Sequence, residues 1–144
     1  MEIVAYDPKF ESDLVRFWRD AFEGGVGIED PNPIADQTAY FNNSVIPEST
    51  VRVVVEDDRP IAFSAATSEM VLQLYVHVDH QRRGIGTRLL DLAKSESGGR
   101  LRLLTFQSNT GAQAFYERHG FRVIRRGFES QWQLEDLEYE WTAE

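Results

Sequence analysis

The chain has 144 residues, 42% of them hydrophobic and 27% charged, with a formal net charge of −9. That length supports one domain with a single sizeable core. The absence of cysteine excludes a disulfide framework, a zinc–cysteine site and a cysteine nucleophile, and the acidic balance argues against a nucleic-acid binder.

No run approaches the roughly 20 apolar residues that span a bilayer. The start of the chain, Met1 to Asp7, lacks a basic region followed by an apolar core. The reading therefore expects no membrane segment, no signal peptide and a cytoplasmic location. The acidity serves solubility and also suits a cationic acceptor.

In chain order, Ile3 to Tyr6 reads as a strand that Asp7-Pro8 breaks. Phe10, Leu14, Phe17, Trp18, Ala21 and Phe22 recur at helical spacing. They predict an amphipathic helix over 9–23, ended by Gly24-Gly25-Val26-Gly27. Ile28 to Pro33 has loop composition, and a second helix is expected from Ala35 to Asn43. The β-branched run Thr50 to Glu56 and the run Ile61 to Ala66 form a hairpin about Asp57-Asp58-Arg59-Pro60. Met70 to Val78 is the next strand, followed by a helix over 85–96 that Gly98-Gly99 ends. Leu101 to Phe106 reads as a buried strand and Thr110 to His119 as a helix, with Gly120 at its C-terminal cap. Phe121 to Arg125 and Leu134 to Thr142 complete the strands. The order predicts an α/β fold, one domain over 1–144 with a mixed sheet and helices packed on its faces.

Two stretches carry chemistry. Gln81-Arg82-Arg83-Gly84-Ile85-Gly86-Thr87 lies between a strand and a helix start. Such a junction points several backbone N–H groups one way at the positive end of a helix dipole, and phosphate oxygens are its natural ligand. The glycine pattern matches neither the dinucleotide fingerprint nor the Walker phosphate loop. The second stretch, Asn109 to Phe121, puts Ala112, Phe115, Tyr116 and His119 on one side of a helix that Asn109 can cap. A phenol with a pKa near 10 suits protonation of a departing thiolate whose own pKa is near 8.5. Core packing is the competing role for Tyr116.

Together these stretches resemble the signatures of the GNAT superfamily of acyl-coenzyme A-dependent N-acyltransferases, with the close resemblance covering about residues 70–125. It implies a mostly antiparallel central sheet of six or seven strands flanked by about four helices. It also implies an acetyl-CoA-dependent N-acetyltransferase acting on a primary amine of a small molecule or peptide. The coenzyme pyrophosphate is then expected on the turn, at Arg82, Arg83, Gly84, Ile85, Gly86 and Thr87. The pantetheine arm is expected along Val76 and Val78, with Asn109 on its side. Tyr116 matches the family's general acid, and Glu69 is the candidate base, with His77 behind it. Homodimers are frequent in the family.

Trp18, Phe22, Tyr40 and Phe41 are candidates for an acceptor pocket, with Glu23, Glu29, Asp30 and Asp36 to attract a cationic amine. The three histidines have no metal-ligand spacing, so no metal is expected. Two other readings stay open: a non-catalytic acyl-CoA-binding sensor module, and a nucleotide-phosphate binder of different chemistry.

Overall fold

The computed structural model describes residues 1–143. Its strands are β1 (Glu2–Ala5), β2 (Thr50–Glu56), β3 (Arg59–Ala66), β4 (Val71–Val76), β5 (Arg100–Phe106), β6 (Arg122–Glu129) and β7 (Leu134–Thr142). The helices are α1 (Glu11–Val26), α2 (Ile34–Tyr40), the single turn α3 (Ile46–Glu48), α4 (Ile85–Ser95) and α5 (Thr110–Arg118). The expected α/β class holds, with seven strands and four helices longer than one turn among the described residues.

The strands form two antiparallel sheets, ordered β1-β2-β3-β4 and β5-β7-β6. The single sheet expected from sequence is open in the middle. β4 and β5 touch at one parallel bridge, Met70 to Arg102, where the Arg102 amide donates to the Glu69 carbonyl at 3.0 Å. Beyond it they separate. The register of β3 and β4 shifts between Ala65 and Ala66, so that Ala65 faces Gln73, Ala66 faces Val71 and Leu72 is left unpaired. A bulge of this kind adds local twist and bends the strand away from its neighbour.

Two boundaries differ from the sequence reading. Helix α1 continues through Gly24 and Gly25 and stops at Gly27, whose φ of 84° is the left-handed cap. Its last turn is held from outside, by the Ser108 hydroxyl donating to the Val26 carbonyl at 2.8 Å. The second helix does not end near Asn43 but runs on through a wide turn at Phe41–Val45 into α3. Phe41 and Val45 are buried there, and the Asn42 amide bonds Glu11 and the Thr38 carbonyl rather than terminating the helix. The β2–β3 hairpin turns on two residues, Asp57 (φ 53°) and Asp58 (φ 62°). Two positive φ values in a two-residue loop match the right-handed twist of the flanking strands.

The first sheet is covered on both faces. Leu14, Phe17 and Trp18 of α1 pack with Phe41, Val53 and Phe63 on one side. Ile85 and Leu89 of α4 pack with Val54, Ile61 and Ala62 on the other. Leu90 of α4 joins α5 and the second sheet through Leu101, Leu103, Tyr116, Phe121 and Tyr139.

Phe63 is the centre of the first cluster: it is fully buried and its ring lies 5.6 to 6.1 Å from those of Phe17, Trp18, Phe41 and Tyr75. Phe63→Ala is expected to cost about 3–5 kcal/mol. Urea denaturation should show a lower midpoint with an unchanged slope.

Candidate active site

The turn before α4 has the geometry its sequence suggested. Gly84 takes φ 78° and forms the N-cap of α4 without a side-chain cap. The first helical bond is Arg88 N–H to the Gly84 carbonyl. The amides of Gly84, Ile85, Gly86 and Thr87 therefore have no acceptor among the described residues, and they sit at the positive end of the helix. Gly86 packs closely on α5: a Cβ there would lie 3.2 Å from the Phe115 ring.

The two arginines of the turn differ. Arg82 is exposed, at a φ of 66°, and pairs with no carboxylate among the described residues. Arg83 makes a two-pronged pair with Glu56 at the end of β2, at 3.2 and 2.7 Å. The hydrogen bond from Arg83 holds the Glu56 carboxyl below the ordinary carboxylate range. The Arg83 guanidinium is thus turned toward the β2–β3 hairpin. Thr87 is also engaged: its hydroxyl lies 3.0 Å from His119 Nε2, while His119 Nδ1 is 2.7 Å from the Phe115 carbonyl. Since a carbonyl only accepts, Nδ1 carries a proton, and in the neutral ring Nε2 accepts from Thr87. The Lys94 ammonium donates to the His119 carbonyl at 2.7 Å. These bonds tie the end of α5 to α4 beside the turn.

The free edge of β4 faces the gap between the sheets. The His77 amide donates to Ile61 of β3 at 2.8 Å. Alternation in an antiparallel ladder then turns the amides of Val76 and Leu74 outward. The Gln81 side chain caps the Val76 carbonyl at 3.0 Å, which leaves its amide free. Val78 is a correction to the sequence reading. The strand ends at Val76, and Val78 opens a one-turn 3-10 segment, Val78–His80. The cause is local: the His77 ring accepts from the Asp79 amide at 3.0 Å and caps that turn. The outward edge position missed from sequence is Leu74; strand alternation alone could have found it.

Where β4 and β5 part lies a cavity of about 570 Å³, within the range typical of small-molecule sites. Leu72, Gln73 and Tyr75 of β4 line it, with Leu104, Thr105 and Phe106 of β5. Trp18, Phe22 and Val26 come from α1, Asp36, Gln37 and Tyr40 from α2, and Glu129, Gln131, Trp132 and Asp136 from the β6–β7 hairpin. Of the expected acceptor residues, Trp18, Phe22, Tyr40, Asp30 and Asp36 line it. Phe41 does not, being fully buried in the core. Glu23 accepts from the Asp30 amide at 2.7 Å instead, and Glu29 is not part of the lining. The hairpin contribution was missed because Glu129, Gln131, Trp132 and Asp136 carry no motif.

Asn109 lies on the cavity wall. Its Oδ1 accepts from the Ala112 amide at 3.1 Å and caps α5. Its Nδ2 lies only 2.8 Å from where a Cβ on Gly25 would stand. A side chain at Gly25 would press on the Asn109 amide, so glycine there leaves it room.

Tyr116 is 8% exposed. Its ring packs against Phe115, Phe121 and Tyr139, and its hydroxyl makes no hydrogen bond among the described residues. Burial first, and then the neighbouring Tyr75, push its pKa far up. Burial likewise raises the Tyr75 hydroxyl, to about 12, against a smaller opposing effect of Trp18. Tyr75 lines the cavity, whereas Tyr116 is not part of the lining and sits in the cluster with Leu90, Leu101 and Phe121.

Glu69, the candidate base, is not brought to the cavity. It is exposed on the Thr67–Met70 turn before β4. Its neighbours Thr67 and Ser68 border a separate depression with Arg52 and Glu96. His77 is committed to the 3-10 turn and packs on Phe17 with ring centroids 5.9 Å apart.

Known proteins carry the same pattern. The family model described as an acetyltransferase (GNAT) domain matches residues 47–123. That stretch runs from the end of α3 to the start of β6 and contains the turn, the β4 edge, Asn109 and Tyr116. A peptidyl-lysine N-acetyltransferase, YjaB of Salmonella typhimurium, is 34% identical over 82 residues, 56% of each chain. The match spans about half the length of the curated relatives. Among solved structures, apo YjaB from Escherichia coli superposes with a TM-score of 0.80 at 20% identity, covering 97% of this chain and 96% of that one. The PaiA N-acetyltransferase of Thermoplasma acidophilum, in complex with coenzyme A, gives 0.74 at 18% identity over 98% of each chain. At these identities the likeness is one of fold. With more than half of the chain matched by the family model, the chain belongs to the GNAT acetyltransferase family.

Proposed function

We propose that the protein transfers an acetyl group from acetyl-CoA to a primary amine. The observation that carries this reading is the pair of free donor sets, the outward amides of Leu74 and Val76 and the amides of Gly84 to Thr87 at the end of the same strand–turn–helix unit. An extended arm ending in a pyrophosphate matches both: strand-like pairing along β4, then anion binding at the helix start. The coenzyme-bound relative supports the choice of ligand for a fold of this kind.

The chemistry needs no covalent enzyme intermediate. The amine nitrogen, once neutral, forms a bond to the acetyl carbonyl carbon. The carbon–sulfur bond breaks, and the sulfur leaves with the electron pair. An outward β4 amide stabilises the charge that builds on the carbonyl oxygen. Tyr116 gives the sulfur a proton. Its raised pKa does not oppose this role, because the same apolar surroundings penalise a thiolate as they penalise the phenolate. The proton lost by the ammonium goes to water at the open mouth of the cavity. Glu69 is not among the residues that line the cavity, and it has no role in this reading. In the turn, Arg83 acts through its pair with Glu56 as a positioning residue.

Two outcomes follow. Tyr116→Phe should lower kcat about 10²-fold or more while the KM for acetyl-CoA stays near the parent value, followed by release of free thiol. A parental rate would remove Tyr116 as the acid. If neither protein turns over any amine yet both bind coenzyme A, the sensor reading replaces the enzyme. Glu56→Gln should raise the KM for acetyl-CoA several-fold with kcat little changed. The folded carboxyl titrates below its ordinary value of 4.5, so the parent keeps this contact above that pH and loses it as the pH falls further. The gap between parent and variant in coenzyme affinity should therefore be full at neutral pH and close in acid.

A further inference from the structure

The acceptor half of the cavity has a charge pattern that the coenzyme does not explain. Among the described residues, four carboxylates line it, on Asp30, Asp36, Glu129 and Asp136, and no lysine, arginine or histidine does. Two of the four are satisfied within the chain. Asp30 takes Arg19 at 3.2 Å and both the amide and the side chain of Asn32 at 2.9 Å. Glu129 accepts from the Trp132 amide at 2.6 Å. Asp36 and Asp136 have no hydrogen-bonding or ionic partner among the described residues. Asp136 is half-buried, and its carboxylate occupies the space left by Gly127: a Cβ there would lie 2.8 Å from Asp136 Oδ1.

The walls between these carboxylates are aromatic. Trp18, only 6% exposed, lines the cavity with Phe22, Tyr40, Tyr75, Phe106 and Trp132. Phe22 and Trp132 pack together at 5.2 Å. Aromatic faces and unpaired carboxylates favour the same ligand, a cationic nitrogen on a short apolar chain. They disfavour an acceptor bearing a carboxylate, which would be desolvated beside like charge. A carboxylate beside the attacking nitrogen would hold it as an ammonium and oppose the proton loss that attack requires, so the cation these groups serve is a second one.

We infer that the acceptor is a small diamine or polyamine, with one nitrogen acetylated and another held as an ammonium by Asp36 and Asp136. This rests on the acetyl-transfer reading of the same cavity, and the test separates the two. Calorimetric titration of the protein saturated with coenzyme A would compare 1,4-diaminobutane, butylamine, 4-aminobutyrate and a lysyl peptide with neutral flanks. The diamine should bind at least tenfold more tightly than butylamine or the peptide, and 4-aminobutyrate more weakly than butylamine. The double variant Asp36→Asn/Asp136→Asn should bind the diamine no better than butylamine, with its affinity for coenzyme A unchanged. Equal binding of diamine and butylamine, tighter binding of the peptide or of 4-aminobutyrate, or a preference that survives the double variant would overturn the inference. The same titrations without coenzyme A keep the outcomes apart. Failure to take up coenzyme A contradicts the transfer reading alone, while the diamine preference still stands or falls with the cleft.

Discussion

The separation of β4 from β5 is the constraint on which the rest of this molecule depends. Among the described residues, pairing between them is confined to the Met70–Arg102 bridge at the start of β4. The unpaired Leu72 then turns β4 aside, leaving a strand edge with unspent donors inside the protein. Exposed edges are usually blunted or covered, because they template unwanted pairing. Here the edge forms one wall of a cavity, closed by α1, α2 and the β6–β7 hairpin. Such an edge is tolerated when a ligand of strand-like shape can complete it.

The turn continues the same logic at the end of β4. Its donors are backbone amides, whose direction is fixed by Gly84 in the left-handed region and by the start of α4. Side-chain charge has a secondary part: Arg83 is spent on Glu56, and the Thr87 hydroxyl on His119. These contacts fasten the turn to the β2–β3 hairpin and to α5. The result is a donor array held by three neighbouring elements, so little ordering is left for a ligand to impose.

Much of this was legible in the sequence, for identifiable reasons. The strand–turn–helix order around Gly84 and the capped helix after Asn109 are local features, encoded by residues within a few positions of each other. The strand assignments followed from β-branched runs and from turn chemistry such as Asp57-Asp58. What escaped the reading was set by distant contacts. Gly24 and Gly25 looked like a helix stop, yet that turn stays helical, and its Val26 carbonyl takes the hydroxyl of Ser108, more than 80 residues away. Val78 looked like strand until the His77 ring claimed the Asp79 amide. Glu69 looked close to the site because it precedes β4, but it is exposed on the Thr67–Met70 turn and is not part of the cavity lining. Phe41 shares the spacing of Tyr40 and points into the core. Asp136 and Trp132 reach the cavity only because β6 and β7 fold back over it.

The most direct test of the central claim is amide hydrogen exchange, read residue by residue by NMR, with and without saturating coenzyme A. If β4 offers its free edge to the coenzyme, the amides of Leu74 and Val76 slow markedly on binding. Those of Gly84 to Thr87 slow with them, while the inward-facing amides of Tyr75 and His77, already bonded to β3, change little. Saturation with coenzyme A that leaves the Leu74 and Val76 amides exchanging at their free rates would contradict the account.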